Sequence, residues 1–280
     1  MTADNPLLQP LETLFQRLVV LTGLVRIVED QLQGYRRLFT RQFDELDARH
    51  VFAGFNLIVW DIAPPAREEP SHWRQVSSFS AGGKDYFELT DLFVRREAAW
   101  TVSQAYEAFE AYLKDVLAAY LAGHPQDSQL ISLRQPPEAA DFASWRAALH
   151  SGRWSSTALL GALRLIQPSI STRETTNDRD VHMDEWHQIL QEIRHAATHS
   201  DMRIRHSRIA RWPPSRIRLL RRKFPGQAQN GDYVLQLTRD AAQSAIQTAA
   251  DYAFLLFKCL SQSSGYDWDI LRQPDANSDA

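Results

Sequence analysis

Apolar positions along the first fifty residues recur in alternating steps of three and four: Leu11, Leu14, Leu18, Leu21, Val25, Val28, Leu32, Tyr35 and Phe39. Gln42 takes the next expected place and Leu46 resumes the series. A seam sustained over about five heptads predicts one long helix over 10–47, about 50 Å long if continuous. Gly23 and Gly34 each weaken it by ~1 kcal/mol relative to Ala. Two uses of the seam fit equally: packing on the helix's own domain, or pairing with a second chain. Residues 50–95 are less readable. Phe55-Asn-Leu-Ile-Val-Trp60 suits either a short buried strand or a helical turn, and Pro64, Pro65, Pro70 and Gly82-Gly83 mark loops, with a boundary near Thr90.

Beyond that boundary the periodicity sharpens. Val102, Ala105, Tyr106, Phe109, Tyr112, Leu113, Val116, Leu117, Tyr120 and Leu121 form one helical stripe that Gly123 and Pro125 stop. Glu110 and Lys114 sit four apart on its outer side. One or two helices follow over 145–166, ended by Pro168, and a polar loop over 169–180. A helix from about Asp184 turns Trp186, Ile189, Leu190, Ile193 and Ala197 inward and ends near His199-Ser200-Asp201. Asn230-Gly231 is a turn before a strand over 233–237. A last helix over 239–261 carries Ala242, Ile246, Ala249, Ala253, Leu256 and Leu260 inward. The fold class is mostly α: an up-and-down helical bundle with a small β-hairpin or strand, preceded by a long N-terminal helix. Its parts are an N-terminal helical region over 1–91, a helical domain over 92–263 and a polar tail over 264–280.

Composition excludes whole classes of protein. With 280 residues, 44% of them hydrophobic, and 31 Lys+Arg against 34 Asp+Glu, the chain is globular, not collagen-like or low-complexity. The single Cys259 lies in an apolar run, so no disulfide framework and no cysteine metal site is available, and a buried thiol is expected. The N-terminal residues Met1-Thr-Ala-Asp-Asn-Pro lack a signal-peptide pattern, and no apolar run approaches the ~18 residues of a membrane span; a cytoplasmic location without membrane contact is expected.

Charge distribution says more than the net value of -3. The segment 201–223 holds eight arginines and one lysine against one aspartate, a local balance of +8 that leaves -11 for the remainder. Lysines number four in the whole chain, at 84, 114, 223 and 258, which makes 27 of the 31 cations arginine. Guanidinium forks grip phosphate and stack on bases, so the cluster suits RNA or DNA phosphates, with Arg203, Arg205, Arg208 and Arg211 as the candidate nucleic-acid-binding residues. The competing role is neutralisation by the protein's own acidic body.

Familiar catalytic motifs are absent: there is no Gly-x-Ser-x-Gly elbow, no phosphate-binding Gly-x4-Gly-Lys-Ser/Thr loop, no His-Glu-x-x-His and no Cys-x-x-Cys. His182 and His187 flank Asp184 and Glu185, but their spacing matches no zinc pattern. The distinctive stretch is Glu192-Ile-Arg-His-Ala-Ala-Thr-His199, at the end of an amphipathic helix and leading straight into the arginine-rich segment. Its Arg194, polar His195 and His199 resemble the Arg-polar-x3-His motif of the HEPN superfamily. A second Arg-x4-His spacing, Arg67 to His72, has Glu68 at the polar position and Pro70 inside, which bars a helix interior. The helix containing Tyr106-Glu-Ala-Phe-Glu-Ala-Tyr-Leu113 is similar to the opening helix of many HEPN domains, and 239–261 stands where the family has its last. The resemblance covers roughly 92–263.

What the resemblance implies is a metal-independent endoribonuclease that cleaves single-stranded RNA, active as a homodimer and acting as a toxin or phage-defence effector, with an antitoxin or defence protein as a further partner. Arg194, His195 and His199 would be catalytic, and no metal or cofactor is called for. Some relatives are non-catalytic, so an RNA- or protein-binding sensor module is the alternative. The chemistry stands without the family. RNA carries its own nucleophile in the 2′-hydroxyl, and cleavage needs a base, an acid for the leaving 5′-oxygen, and a cation for the phosphorane charge. Histidine titrates near neutrality and arginine fits phosphate. Five positions correspond to about 500° of helix, so Arg194 and His199 project ~140° apart. Either the helix unwinds just before His199, or two copies face each other across a two-fold axis.

Overall fold

The computed structural model describes residues 5–43, 51–60, 73–131, 137–152 and 154–269. Leu46, the Arg67 to His72 spacing, Pro64, Pro65, Pro70 and the end of the C-terminal tail lie outside them. The described part is mostly α-helical. It divides into two compact units, Met1–Arg26 with Arg96–Ala280, and Ile27–Arg95.

In the unit Ile27–Arg95, helix α1 (Leu8–Phe43) supplies its second half. Strands β1 (Val51–Trp60) and β2 (Trp73–Gly82) pair antiparallel, Gly54 opposite Ser80 and Trp60 opposite Trp73, with bulges after Val51 and Leu57. The stretch that periodicity left unread is thus a β-hairpin. Helix α2 (Gly83–Gly123) begins directly after it and runs unbroken through Thr90, so Gly83 opens a helix where a loop was expected. Within this unit Arg36 donates to Asp91 at 2.8 Å and lies over the Phe87 ring.

The larger unit is a helical bundle. In α1 the seam residues Leu11, Leu14, Leu18, Leu21 and Val25 are buried, so the chain's own core covers this half of the heptad pattern. Helix α2 contributes the predicted stripe, with Phe109, Leu113 and Leu117 fully buried. Helices α3 (Phe142–Ser151) and α4 (Ser156–Ile166) start at Asp141 and Ser155, whose side chains accept from the backbone N–H groups of Ser144 and Ala158. The stretch expected as a polar loop holds a further short helix, α5 (Ser169–Thr175). Local propensity does not explain it; a buried polar cluster does. Arg164 donates Nε to Glu174 Oε2 at 2.8 Å and Nη2 to Asp184 Oδ1 at 2.7 Å, while the Tyr252 hydroxyl donates to Glu174. Glu174 is 3% exposed, and this ion-paired setting is what permits its burial.

Helix α6 (Met183–His199) follows, then β3 (Arg203–Ile204), α7 (His206–Ile209), α8 (Pro214–Lys223), β4 (Gly226–Gln229), β5 (Asp232–Leu235) and α9 (Arg239–Ser264). The three strands form an antiparallel sheet in the order β3-β5-β4. Asn230 and Gly231 turn the β4-β5 hairpin with φ of 52° and 86°, the left-handed pair that an Asn-Gly turn of this kind requires. Thr238 caps α9, which ends at the left-handed Gly265. Trp186, Ile189, Leu190 and Ile193 of α6 and Tyr252, Leu256 and Phe257 of α9 all belong to the buried core. Cys259 is buried on α9, and burial pushes its thiol pKa up. Part of the polar tail is anchored: Trp268 lies against Lys258, ammonium to ring centre 3.9 Å.

Candidate functional site

Helix α6 places the motif. Its inner side is Met183, Trp186, His187, Leu190 and Ile193, which leaves Arg194, His195, Thr198 and His199 on its outer sides. The helix does not unwind before His199. Ser200 N–H bonds to Ala196 O at 3.2 Å and Met202 N–H to the same carbonyl at 3.0 Å, closing the last turn with Asp201 and Met202 in the left-handed region at φ 45° and 66°. Asp201 is held by Arg96 of α2 at 2.6 Å.

With the helix intact, the motif splits in two. His195 and His199 stand one turn apart on the exposed surface, ring centres 5.3 Å apart. Arg194 turns to α2, donating Nε to Glu107 Oε1 at 3.0 Å, with its guanidinium carbon 5.9 Å from the centre of the Tyr106 ring. Thr198 Oγ1 bonds back to Arg194 O at 2.8 Å. One chain brings the two imidazoles together and directs the guanidinium elsewhere. Of the two ways to unite Arg194 and His199, local unwinding is not adopted.

The arginine-rich segment lies on β3, α7 and α8. Arg208 binds Glu192 through both carboxylate oxygens, at 2.7 and 2.5 Å, so it serves the neutralising role. Arg205 and Arg211 are exposed and form no ion pair among the described residues, and Arg203 is half-buried on its strand. The segment is therefore part internal brace and part open cationic surface.

His182 and His187 do not share a site. His182 is exposed where α6 begins, whereas His187 is wholly buried between Tyr106 and Phe109, ring centres 5.4 and 5.9 Å away. Burial pushes its pKa down to about 4, against a partly opposing pull from Asp184 and with a small push from Arg164. Among the described residues no three His, Cys, Asp or Glu side chains gather as a cation site, and no helix is long and apolar enough to cross a membrane.

Three relevant residues escaped the sequence reading: Glu107, Arg96 and Trp100. Arg96, Trp100, Gln104 and Glu107 recur at helical spacing on α2, outside its apolar stripe. A tryptophan on that polar face was the available signal. It borders a cleft of ≈ 450 Å³ lined by Arg96, Glu97, Trp100, Ala197, Thr198, Asp201 and Met202. No protein family, curated protein or solved structure matches the chain.

Proposed function

We propose that the protein is a metal-independent endoribonuclease of the HEPN type, working as a homodimer on single-stranded RNA. The observation that carries the reading is the pair of exposed imidazoles, His195 and His199, on the last turn of α6, beside Arg194 and continuous in sequence with the open Arg205 and Arg211 that flank α7. The 2′-oxygen attacks phosphorus and the bond to the 5′-oxygen breaks. One proton leaves the 2′-hydroxyl for a base and another reaches the 5′-oxygen from an acid, giving a 2′,3′-cyclic phosphate and a 5′-hydroxyl. His199 serves as acid or base, His195 orients or polarises it, and Arg194 stabilises the phosphorane charge. Because α6 stays helical through His199, Arg194 and His199 meet on one phosphate only when a second copy faces the first. The motif's resemblance also suggests the biology: a toxin or phage-defence effector restrained by an antitoxin or other defence protein.

The test is direct. Purified protein with end-labelled RNA should release fragments ending in 2′,3′-cyclic phosphate, in the presence of EDTA, and His199→Ala should release none while keeping its fold. Full activity in that variant would overturn the assignment. One feature favours a second reading, a non-catalytic RNA-binding or sensor module: Arg194 already has a carboxylate partner in Glu107. Salt-sensitive binding without any product is its signature in the same assay.

A further inference from the structure

We infer that the cleft beside Trp100 is a nucleobase subsite, in which one unpaired base of a single-stranded RNA stacks on the Trp100 indole next to the motif. The inference rests on the RNA reading above for the identity of the polymer, and extends it to a residue outside the motif.

Trp145 and Trp186, in the same unit, are 2% and 1% exposed, whereas Trp100 is 48% exposed. A lone exposed aromatic is ordinary on a protein surface. Trp100 differs in its setting: its ring borders a cleft whose ≈ 450 Å³ exceeds what a single base fills. The cleft has the two components that base recognition uses, a flat aromatic wall and polar groups at its edge. Arg96 offers donors, Glu97 acceptors, and Thr198 a hydroxyl, with Ala197 and Met202 also in the lining. The Arg96 to Asp201 ion pair is exposed on both sides, with 57% and 71% of the side chains open, so it yields easily to a ligand.

Position completes the argument. Thr198 lies one helical turn from Arg194, whose backbone carbonyl it binds, and Trp100 lies two turns before Glu107, the carboxylate that holds the Arg194 side chain. The cleft thus lies one turn along α6 from Arg194 and two turns, about 10 Å, along α2 from the carboxylate that holds the one guanidinium the motif offers to phosphate. A base on Trp100 with its backbone phosphate toward Arg194 draws on stacking and charge together, the combination that single-strand binders use. Stacking tolerates every base, so the subsite selects unpaired strands over duplex.

Binding, and not cleavage, reads this inference. The ligand is a fluorescein-labelled oligouridylate with 2′-O-methyl riboses, whose nucleophile is capped, compared by anisotropy with an abasic sugar-phosphate chain of the same length. Trp100→Ala is expected to weaken the oligouridylate about five- to 150-fold, as for one lost stacked base, and to leave the abasic chain unchanged. Trp100→Phe is expected to restore most of the affinity, and all three proteins to unfold at similar temperatures. An unchanged affinity in Trp100→Ala, or an equal loss on both polymers, would overturn the subsite. The two readings fail separately: base-dependent binding with no cyclic-phosphate product removes the nuclease and keeps the subsite. Cleavage of RNA with an indifferent Trp100 does the reverse. A wild type that binds neither polymer removes both.

Discussion

The guanidinium of Arg194 donates its Nε hydrogen to Glu107 at 3.0 Å across the gap between α6 and α2, with 43% and 45% of the two side chains open to water. An ion pair that exposed is worth at most about 1 kcal/mol. A phosphate diester would therefore have a weak incumbent to displace, and under the proposed function Glu107 would be the counter-ion that sets how readily Arg194 engages RNA. Glu107→Gln should raise affinity for single-stranded RNA by up to about five-fold, with little change in melting temperature. Anisotropy titration checks it; a lower affinity would mean that Glu107 aims the guanidinium instead of competing for it.

The divided arginine segment makes a graded prediction. Arg205 and Arg211 stand open, while Arg208 is committed to Glu192. Replacing Arg205 or Arg211 by Ala should flatten the dependence of log affinity on log salt by ~0.7 each, the amount for one phosphate contact to a single strand. Arg208→Ala should leave the slope nearly unchanged. If the fourfold Ala variant of Arg203, Arg205, Arg208 and Arg211 keeps the wild-type slope, the segment is an internal brace throughout.

Buried His187 imposes a pH dependence on stability. Its folded-state pKa is pushed down to about 4, against an ordinary 6.5 in the unfolded chain. Above pH 6.5 both states are neutral there and nothing is lost. Between the two values the unfolded chain takes up the proton and the folded one does not, so stability falls as pH falls, by about 2 kcal/mol at pH 5 and about 3 kcal/mol in full. Urea unfolding of wild type and His187→Leu at pH 7.5 and pH 5 isolates the contribution: the wild type should lose that ~2 kcal/mol relative to the variant. Parallel losses would show that the imidazole is solvated.

Assembly is the prediction on which the composite site depends. The half of the α1 seam from Leu11 to Val25 is consumed by the chain's own core, so the motif is the stronger reason for pairing. The 280-residue chain should scatter light as a dimer at micromolar concentration, and mixing His199→Ala with Arg194→Ala chains should recover part of the activity that each lacks. A monomer that cleaves RNA would show that one chain suffices.

How far the sequence reached depends on where each element draws its stability. Helices α6 and α9 were legible because their apolar spacing is complete and their ends carry a hydroxyl cap or a left-handed residue, and Asn230-Gly231 announced its turn. The short run at 55–60, apolar except for Asn56, is ambiguous by periodicity alone, which hid β1. Helix α5 is short and polar, held by a Glu174 whose partners lie in α4 and α9. His187 could have been read: it falls four positions after Met183 and three before Leu190, on the inner stripe. The partnership of Arg194 with Glu107 spans 87 positions and no local pattern encodes it.

Cys259, the single cysteine, also settles a practical matter. Its sulfur is shut inside the bundle and its thiol is pushed away from the reactive thiolate form, so maleimide reagents have no native target on the folded protein. Spin or fluorescent labels can therefore be attached at any introduced surface cysteine without first deleting the natural one. A label on exposed Gln191 of α6 would then report the separation of two motif helices by dipolar spectroscopy, and so measure the distance that a shared phosphate would have to bridge.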